Sequence, residues 1–318
     1  MQSGWQLARV IHTAARLRLF DRLAEAGTAG EVAREADLDP RGVEILLDAL
    51  ASTGLVLKEG GRYRNSPLAA EYLVEDSPHR TLWYLDHVER IYRTWAFLPE
   101  TVRRGRPAPG VDALRREEGN RLDFIRAMHA LALPKAGPIL AECGVAGVER
   151  AVDVGGGPGT WLAELLRRAP GVEGLLVDLP EPLAIARDLL AAAGLGDRVR
   201  LVERDVTQGE EPYAQEADLA ILSHVLHSLG PVECRAVLTR LRASLAPGGR
   251  LLLHEFMLDR DSTRPQLCAL FAVNMLAATP AGRAWRKEDL RAWLDEAGFG
   301  PHRELKAARE TRAWVVER

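Results

Sequence analysis

The chain has 318 residues, of which 47% are hydrophobic and 27% charged, with a formal net charge of −3. This length predicts a large domain with a smaller one, and the charge gives no indication of a nucleic-acid or anionic-membrane partner. We recognise neither a signal peptide nor an apolar run of the roughly 18 residues that span a membrane. Because the three cysteines also lie far apart, the sequence predicts a cytoplasmic protein.

The first 75 residues predict a winged helix. Apolar residues recur at helical spacing over 7–20, and Thr28-Ala29-Gly30-Glu31 resembles a capping box before a short helix over 31–36. Asp39-Pro40 predicts the start of the next helix, and residues 54–64 have the pattern of strand, glycine turn and strand. A winged helix allows a second function class, a transcriptional regulator. Residues 1–75 carry nine basic and eleven acidic residues, which argues against DNA binding.

The segment over 67–142 predicts helices that connect two domains, with a break at 103–110 where glycine and proline cluster. Aromatic residues are dense here. Most are expected to pack helices together, and a minority to line a pocket for an aromatic substrate. They are Trp83, Tyr84, Tyr92, Trp95, Phe97 and Phe124.

From residue 149 onwards strands and helices alternate. The sequence predicts strands at 151–154, 174–178, 199–202, 219–222, 250–255 and 312–316, and helices at 161–168, 183–193, 234–245 and 286–297. Pro247-Gly248-Gly249 is expected to separate the third of these helices from the next strand. Repeated strand–helix units predict an α/β fold with a doubly wound, mostly parallel sheet, whose ligand binds at the carboxyl ends of the strands.

The first strand of this region runs into a glycine-rich turn, Gly155-Gly156-Gly157-Pro158-Gly159. Glycines allow a sharp turn and a close approach of a ligand, and the helix that follows offers free N–H groups. A dinucleotide fingerprint would have a third glycine where Thr160 stands, and Pro158 lacks the N–H that a pyrophosphate would need. A phosphate-binding loop would continue with Gly-Lys-Ser/Thr, which is absent here.

Two acidic residues follow the next two strands. Asp178 can accept hydrogen bonds from ribose hydroxyls, and Asp205 can accept one from an adenine amino group. Each aspartate alone is a common helix cap. Together with the glycine turn they predict a nucleotide-type site at three neighbouring strand ends.

The ordered set of motifs resembles class I S-adenosylmethionine-dependent methyltransferases, and within them the O-methyltransferase family of plant caffeate, animal hydroxyindole and bacterial polyketide enzymes. The resemblance covers nearly the whole chain and implies a seven-stranded Rossmann-like sheet. It divides the chain into a winged-helix dimerisation domain (1–75), a helical connector that contributes to the substrate pocket (76–142) and a catalytic domain (143–318). The motifs are Val152 to Gly159, Val177-Asp178-Leu179-Pro180, Asp205, Leu222 to His227, Pro247-Gly248-Gly249 to Glu255, and Asn274-Met275-Leu276.

The resemblance also implies roles for single residues. His227 is the expected general base of a metal-independent methyl transfer to a phenolic oxygen, and Glu255 is expected to orient it. S-adenosylmethionine, and its product S-adenosylhomocysteine, are expected to bind at Asp153, Gly155, Gly156, Gly157, Asp178, Leu179, Asp205, Val206, Ser223 and His224. The small aromatic acceptor is expected to contact Phe124, Met128, Asn274 and Met275. A homodimer through the N-terminal domain is implied, with neither a nucleic-acid nor a membrane partner.

One departure from the family pattern concerns the base. Plant relatives carry a second glutamate where this chain has Ala284, so that a single carboxylate is expected to hold His227. Three alternatives stay open at this point. The cofactor can serve N- or C-methylation, it can serve a non-methyl reaction such as hydroxylation or decarboxylation, or His224, His227 and His254 can gather around a metal ion.

Overall fold

The computed structural model describes residues 4–115 and 120–318, and the chain divides into two compact units, Met1–Arg90 and Ile91–Arg318. No helix within those described residues is long and apolar enough to cross a membrane. The division into three parts at residues 75 and 142 stays a prediction. Its first two parts include residues 1–3 and 116–119, which lie outside the described residues.

The first unit consists of small helices and a three-stranded antiparallel sheet of order β1-β3-β2. The capping box is present: the Thr28 hydroxyl accepts from the Glu31 N–H, and the Glu31 carboxylate accepts from the Thr28 N–H. Asp39 likewise accepts from the Gly42 N–H. The elements are α1 (Gly4–Arg16), α2 (Leu19–Arg22), β1 (Gly27–Thr28), α3 (Ala29–Ala36), α4 (Pro40–Ser52), β2 (Val56–Glu59), β3 (Arg62–Asn65) and α5 (Pro67–Tyr72).

The single helix expected over 7–20 is wrong in one respect. Arg18 has a left-handed backbone with φ of 54°, so the chain leaves α1 and begins the short α2 at Leu19. The break directs Leu19 and Phe20 into the core of this unit, where they are almost completely buried. Burial of these two side chains compensates for the strained residue, because a non-glycine residue in this region costs on the order of 1 kcal/mol.

Four helices follow α5 along the chain. They are α6 (Leu82–Trp95), which contains the boundary between the two units, α7 (Leu98–Arg104), α8 (Pro109–Arg115) and α9 (Asn120–Cys143). Within the second unit α9 lies beside the helix that follows the glycine turn, since His129 Nδ1 is 2.8 Å from the Thr160 hydroxyl.

A seven-stranded sheet of order β11-β12-β8-β7-β4-β5-β6 forms the centre of the second unit. Strands β4 to β8 are parallel, whereas β12 is antiparallel to both β8 and β11. Helices cover both faces, each with its own apolar core. The elements are β4 (Arg150–Val154), α10 (Thr160–Arg168), β5 (Glu173–Asp178), α11 (Pro180–Ala192), β6 (Val199–Glu203), β7 (Ala217–Ser223), α12 (Pro231–Ser244), β8 (Leu245–Glu255), α13 (Gln266–Ala278), α14 (Lys287–Glu296), β11 (His302–Leu305) and β12 (Arg312–Glu317), with a separate parallel pair β9 (Met257–Leu258) and β10 (Trp285–Arg286).

The predicted α/β doubly wound fold is therefore confirmed, although the structure differs from the prediction at Pro247-Gly248-Gly249. The structure places this tripeptide inside β8, which begins directly after α12 at Leu245. Pairing with β7 shifts register between Ala217 and Leu219, which accommodates the irregular segment. A Cβ atom at Gly249 would lie 2.8 Å from the Ala217 carbonyl oxygen, so only glycine allows the two strands to approach here.

Candidate active site

The glycine turn connects β4 to α10 through three residues with positive φ, Gly155 (66°), Gly157 (57°) and Gly159 (73°). A Cβ atom at Gly155 would lie 2.7 Å from Val225 Cγ2, so the turn passes against the loop after β7. Around Gly157 the space is open, because an added Cβ would meet no described atom within 4 Å. The turn therefore leaves its backbone accessible to a ligand at the carboxyl end of β4.

Asp153 lies below this turn and is completely buried. Neither of its carboxylate oxygens has a hydrogen-bond partner within the described part of the chain. Burial and the nearby charge of Asp178 raise its pKa to about 8. The backbone N–H of Leu162 partly opposes this rise, although its geometry is not that of a hydrogen bond. A Cβ atom at Gly156 would lie 2.4 Å from the Asp153 carboxyl carbon, so glycine is required where the turn crosses this side chain.

Asp178, at the end of β5, is bonded to the turn. Its Oδ2 accepts from the Gly157 N–H at 2.7 Å, and its Oδ1 accepts from the Leu179 N–H at 2.7 Å. Burial raises the pKa of Asp178, and these two amides partly oppose the rise. A carboxylate can accept about four hydrogen bonds, so each oxygen retains a lone pair that suits a ribose hydroxyl.

Asp205 and Val206 follow β6, which pairs with β5 in the sheet. Asp205 is exposed, and its Oδ1 accepts from the Thr207 amide and hydroxyl in a local turn. The Val206 carbonyl accepts from the Tyr213 hydroxyl and from Arg240 Nη1. The structure thus brings Asp153, Gly157 and Asp178 together, while Asp205 and Val206 make other contacts at the end of the neighbouring strand.

The loop after β7 places His227 against a buried carboxylate. His227 lies in a short 3₁₀ turn, Leu226–Ser228, and its Nδ1 is 2.7 Å from Glu255 Oε1. The Glu255 Oε2 accepts from the His227 backbone N–H at 3.2 Å. Burial acts to raise the pKa of Glu255, but the charge of His227 and the hydrogen bonds from His224 and His227 outweigh it and hold this pKa well below its usual range. Glu255 is therefore ionised, and it fixes the ring of His227.

Two further histidines lie beside this pair. His224 Nδ1 is 3.3 Å from Glu255 Oε1, and burial lowers the pKa of His224. The fully buried His254 has Nδ1 3.0 Å from the Ser223 hydroxyl and Nε2 2.6 Å from the Thr311 hydroxyl. Burial also lowers the pKa of His254 well below its usual value.

These contacts bear on the metal alternative. The donor atoms of His224, His227 and Glu255 lie within 4.8 Å of one another. However, Nδ1 of His224 and Nδ1 of His227 both lie at hydrogen-bond distance from the same oxygen, Glu255 Oε1. Both ring nitrogens of His254 are already bonded to hydroxyls. The arrangement is therefore that of a hydrogen-bonded cluster.

An aromatic pair that the sequence analysis did not identify lies beside His227. Phe256 and Phe271 stack at 3.8 Å between ring centroids, and Phe271 meets the ring of His227 edge-on at 4.9 Å. Both phenylalanines are half-buried. Phe256 could have been identified from the sequence, because it immediately follows Glu255. Phe271 could not, because it lies on α13, far from the other site residues in sequence.

The four residues expected to contact the acceptor have different environments. Asn274 accepts a hydrogen bond from Trp95 Nε1 at 3.1 Å, which links α13 to α6 within the second unit. Met275 is 7% exposed, Met128 is half-buried, and Phe124 on α9 is 45% exposed. Their contact with an acceptor stays a prediction.

The loop after α13 passes close to the backbone of His227. A Cβ atom at Gly282 would lie 2.2 Å from the His227 carbonyl oxygen and 2.6 Å from the Thr279 hydroxyl. Ala284, at the position of the absent second glutamate, is completely buried in a small cluster with Leu258 and Cys268. Of the described carboxylates, Glu255 is the one that is hydrogen-bonded to His227.

Comparison with known proteins points to one enzyme family. An O-methyltransferase domain matches residues 95–300, and an O-methyltransferase dimerisation domain matches residues 2–75. The 3-hydroxy-5-methyl-1-naphthoate 3-O-methyltransferase of Streptomyces sahachiroi is 33% identical over 97% of this chain and 90% of its own length. Human N-acetylserotonin methyltransferase, solved in complex with S-adenosylmethionine, superimposes with a TM-score of 0.87 at 29% identity, over 100% of this chain and 95% of that one. PigF, solved with S-adenosylhomocysteine, gives a TM-score of 0.89 at 26% identity, over 100% and 97%.

Proposed function

The chain belongs to the O-methyltransferase family and is an S-adenosylmethionine-dependent O-methyltransferase, and from this we propose that it methylates a phenolic hydroxyl of a small aromatic molecule with His227 as general base. The observation that carries the proposal is the 2.7 Å contact between His227 Nδ1 and the buried Glu255 carboxylate, beside two stacked phenylalanines. Neither N- or C-methylation nor a non-methyl reaction is favoured by the relatives.

The cofactor is proposed to lie along the strand ends from β4 to β7. Asp178 offers lone pairs to ribose hydroxyls, Gly157 lies in open space, and Asp153 is a buried carboxyl without a partner under the turn. The free lone pairs of Asp178 and the open backbone at Gly157 fit a ligand that carries hydroxyls. We extend the proposal to Gly155, Gly156 and Leu179 at the turn and at Asp178, and to the more distant Asp205, Val206, Ser223 and His224. When bound, S-adenosylmethionine supplies a methyl group already activated by its sulfonium.

The chain's own residues then position the acceptor and remove its proton. Since the Nδ1–H of His227 is directed at ionised Glu255, Nε2 is the nitrogen that can take the phenolic proton. The rising positive charge on the imidazole is stabilised by Glu255, which water does not reach. The aromatic rings of Phe256 and Phe271 suit a flat acceptor, and alignment of this kind can contribute roughly 7–11 kcal/mol.

The relatives narrow the acceptor class. The Streptomyces sahachiroi relative acts, by its name, on the 3-hydroxyl of a naphthoate, and another bacterial relative is a tetracenomycin polyketide 8-O-methyltransferase. We propose an acceptor of this bacterial secondary-metabolite type, with Phe124, Met128, Asn274 and Met275 around it. A dimerisation domain occupies residues 2–75, and we propose a homodimer through it, in the cytoplasm, acting on neither nucleic acid nor membrane.

The test compares His227→Ala with the wild-type enzyme on a panel of phenols and naphthols, each paired with the corresponding aryl amine. Methylation is expected on the hydroxyl compounds, and His227→Ala should lower turnover about 10²- to 10⁴-fold, the usual contribution of a general base. Calorimetry should give both proteins similar affinity for S-adenosylmethionine. His302→Ala, on the edge strand β11, serves as the matched histidine control. Wild-type turnover in His227→Ala would remove this residue from the mechanism, and preferential methylation of the amines would contradict the acceptor class.

A further inference from the structure

Glu255 Oε1 accepts hydrogen bonds from more groups than the His227 ring alone. Its Oε1 faces His227 Nδ1 at 2.7 Å, His224 Nδ1 at 3.3 Å and the Phe256 N–H at 2.8 Å. We propose that His224 is a positioning residue that shares this oxygen with His227, and so limits how strongly Glu255 favours the protonated form of the base. The inference rests on the proposed role of His227. It gives His224 a task beyond the cofactor contact expected from the sequence.

The backbone and the packing of His224 support this role. The residue has a left-handed φ of 58°, and its N–H donates to the His254 carbonyl at 2.8 Å. Its ring lies 4.3 Å from that of His254 and 4.7 Å from that of Phe256, measured between centroids. A non-glycine residue in this conformation persists where its surroundings determine it. The direction of the His224 ring towards Glu255 is therefore fixed by neighbours on β8 and after it.

Among the charged groups around His224 and His227, Glu255 is the anion to which both histidines are hydrogen-bonded. Lys135 on α9 adds positive potential at His224 and His254. Burial raises the pKa of Cys234 to about 12 and that of Cys268 to about 11, so both thiols stay neutral at physiological pH. His254 is neutral and donates or accepts through its two hydroxyl partners. A donor withdrawn from Oε1 therefore leaves more of the carboxylate's charge to act on His227.

Two substitutions distinguish the effect of the hydrogen-bond donor of His224 from the effect of packing by its ring. His224→Gly tolerates the left-handed backbone and removes the donor, whereas His224→Asn also tolerates it and places an amide N–H near the position of Nδ1. The protonation midpoint of His227 is measured in each protein by NMR titration of histidine labelled at Cε1, with the His227 signal assigned from His227→Gln. His224→Gly should raise the midpoint by about half to one pH unit, because the lost bond acts on His227 through Glu255 and transmits only part of the roughly 1.5–3 kcal/mol of a hydrogen bond to a charged group. His224→Asn should return it close to the wild-type value.

A midpoint in His224→Gly that equals or falls below the wild-type value overturns the inference. An equal rise in both variants overturns it too, because ring packing rather than the donor would then be responsible. If His224→Gly does not fold by circular dichroism, His224→Ser replaces it, since its hydroxyl is too short to reach Glu255. The titration needs no acceptor, so its failure is distinct from that of the proposed function, which retained activity in His227→Ala would contradict.

Discussion

The buried carboxyl of Asp153 should make the stability of this enzyme fall as the pH rises. Burial raises its pKa from 3.8 to about 8, so the folded protein keeps a proton there at neutral pH. The unfolded chain loses that proton near pH 4. Because the folded state binds more protons between these values, this group lowers the free energy of unfolding by about 1.4 kcal/mol per pH unit, or about 4 kcal/mol at pH 7 relative to pH 4.

Asp153→Asn keeps the size of the side chain and removes its ionisation. The free energy of unfolding of both proteins is measured by urea titration in the absence of cofactor, followed by the fluorescence of the tryptophans in residues 91–318. The difference between variant and wild type should increase by about 1.4 kcal/mol per unit from pH 5 to pH 7 and then level off towards pH 8, where the folded wild-type protein begins to lose the same proton.

Asp188→Asn, on the exposed face of α11, is the matched control for loss of an aspartate from the same unit. A difference between Asp153→Asn and wild type that stays constant from pH 5 to pH 8 would refute the reasoning. It would mean that Asp153 is ionised in the folded protein, with its charge stabilised by groups beyond those described.

Two further predictions concern the cofactor turn and the support of the base. Asp178→Asn should weaken binding of S-adenosylmethionine and S-adenosylhomocysteine alike by about tenfold or more, since ribose hydroxyls lose a charged acceptor; calorimetry with Asp188→Asn as control tests this, and unchanged affinity would contradict the assignment. Gly282→Ala should destabilise the protein by about 1–3 kcal/mol and lower turnover, because its Cβ would lie 2.2 Å from the His227 carbonyl oxygen. Gly171→Ala is the control with no atom within 4 Å of the added Cβ, and equal melting temperatures for the two variants would count against the clash.

The strands that carry the site could be predicted because each is a short apolar run closed by glycine, proline or an acidic residue. The limits of β8 could not be predicted, because a Pro-Gly-Gly sequence such as Pro247-Gly248-Gly249 usually interrupts a strand. Here the pairing of β8 with β7 keeps these three residues in the strand. Strand β11 also escaped prediction. It lies at the edge of the sheet, where His302–Leu305 has one buried side chain and so no alternating pattern.

At the site, single residues at strand ends were easier to predict than their mutual contacts. The resemblance indicated both His227 and its partner Glu255, whereas the bond of His224 to the same carboxylate oxygen depends on a left-handed backbone. The stack of Phe256 on Phe271 joins two segments whose order in the chain carries no signal of contact. Such features follow from packing, which one sequence does not specify.

The bond between Asp178 and the Gly157 amide has a consequence for the cell that makes this enzyme. A turn that is already held in place before any ligand arrives spends little binding energy on ordering itself. The cofactor site proposed here is therefore expected to bind S-adenosylmethionine and S-adenosylhomocysteine with similar affinity through their common ribose. Flux through such an enzyme is expected to follow the ratio of S-adenosylmethionine to S-adenosylhomocysteine.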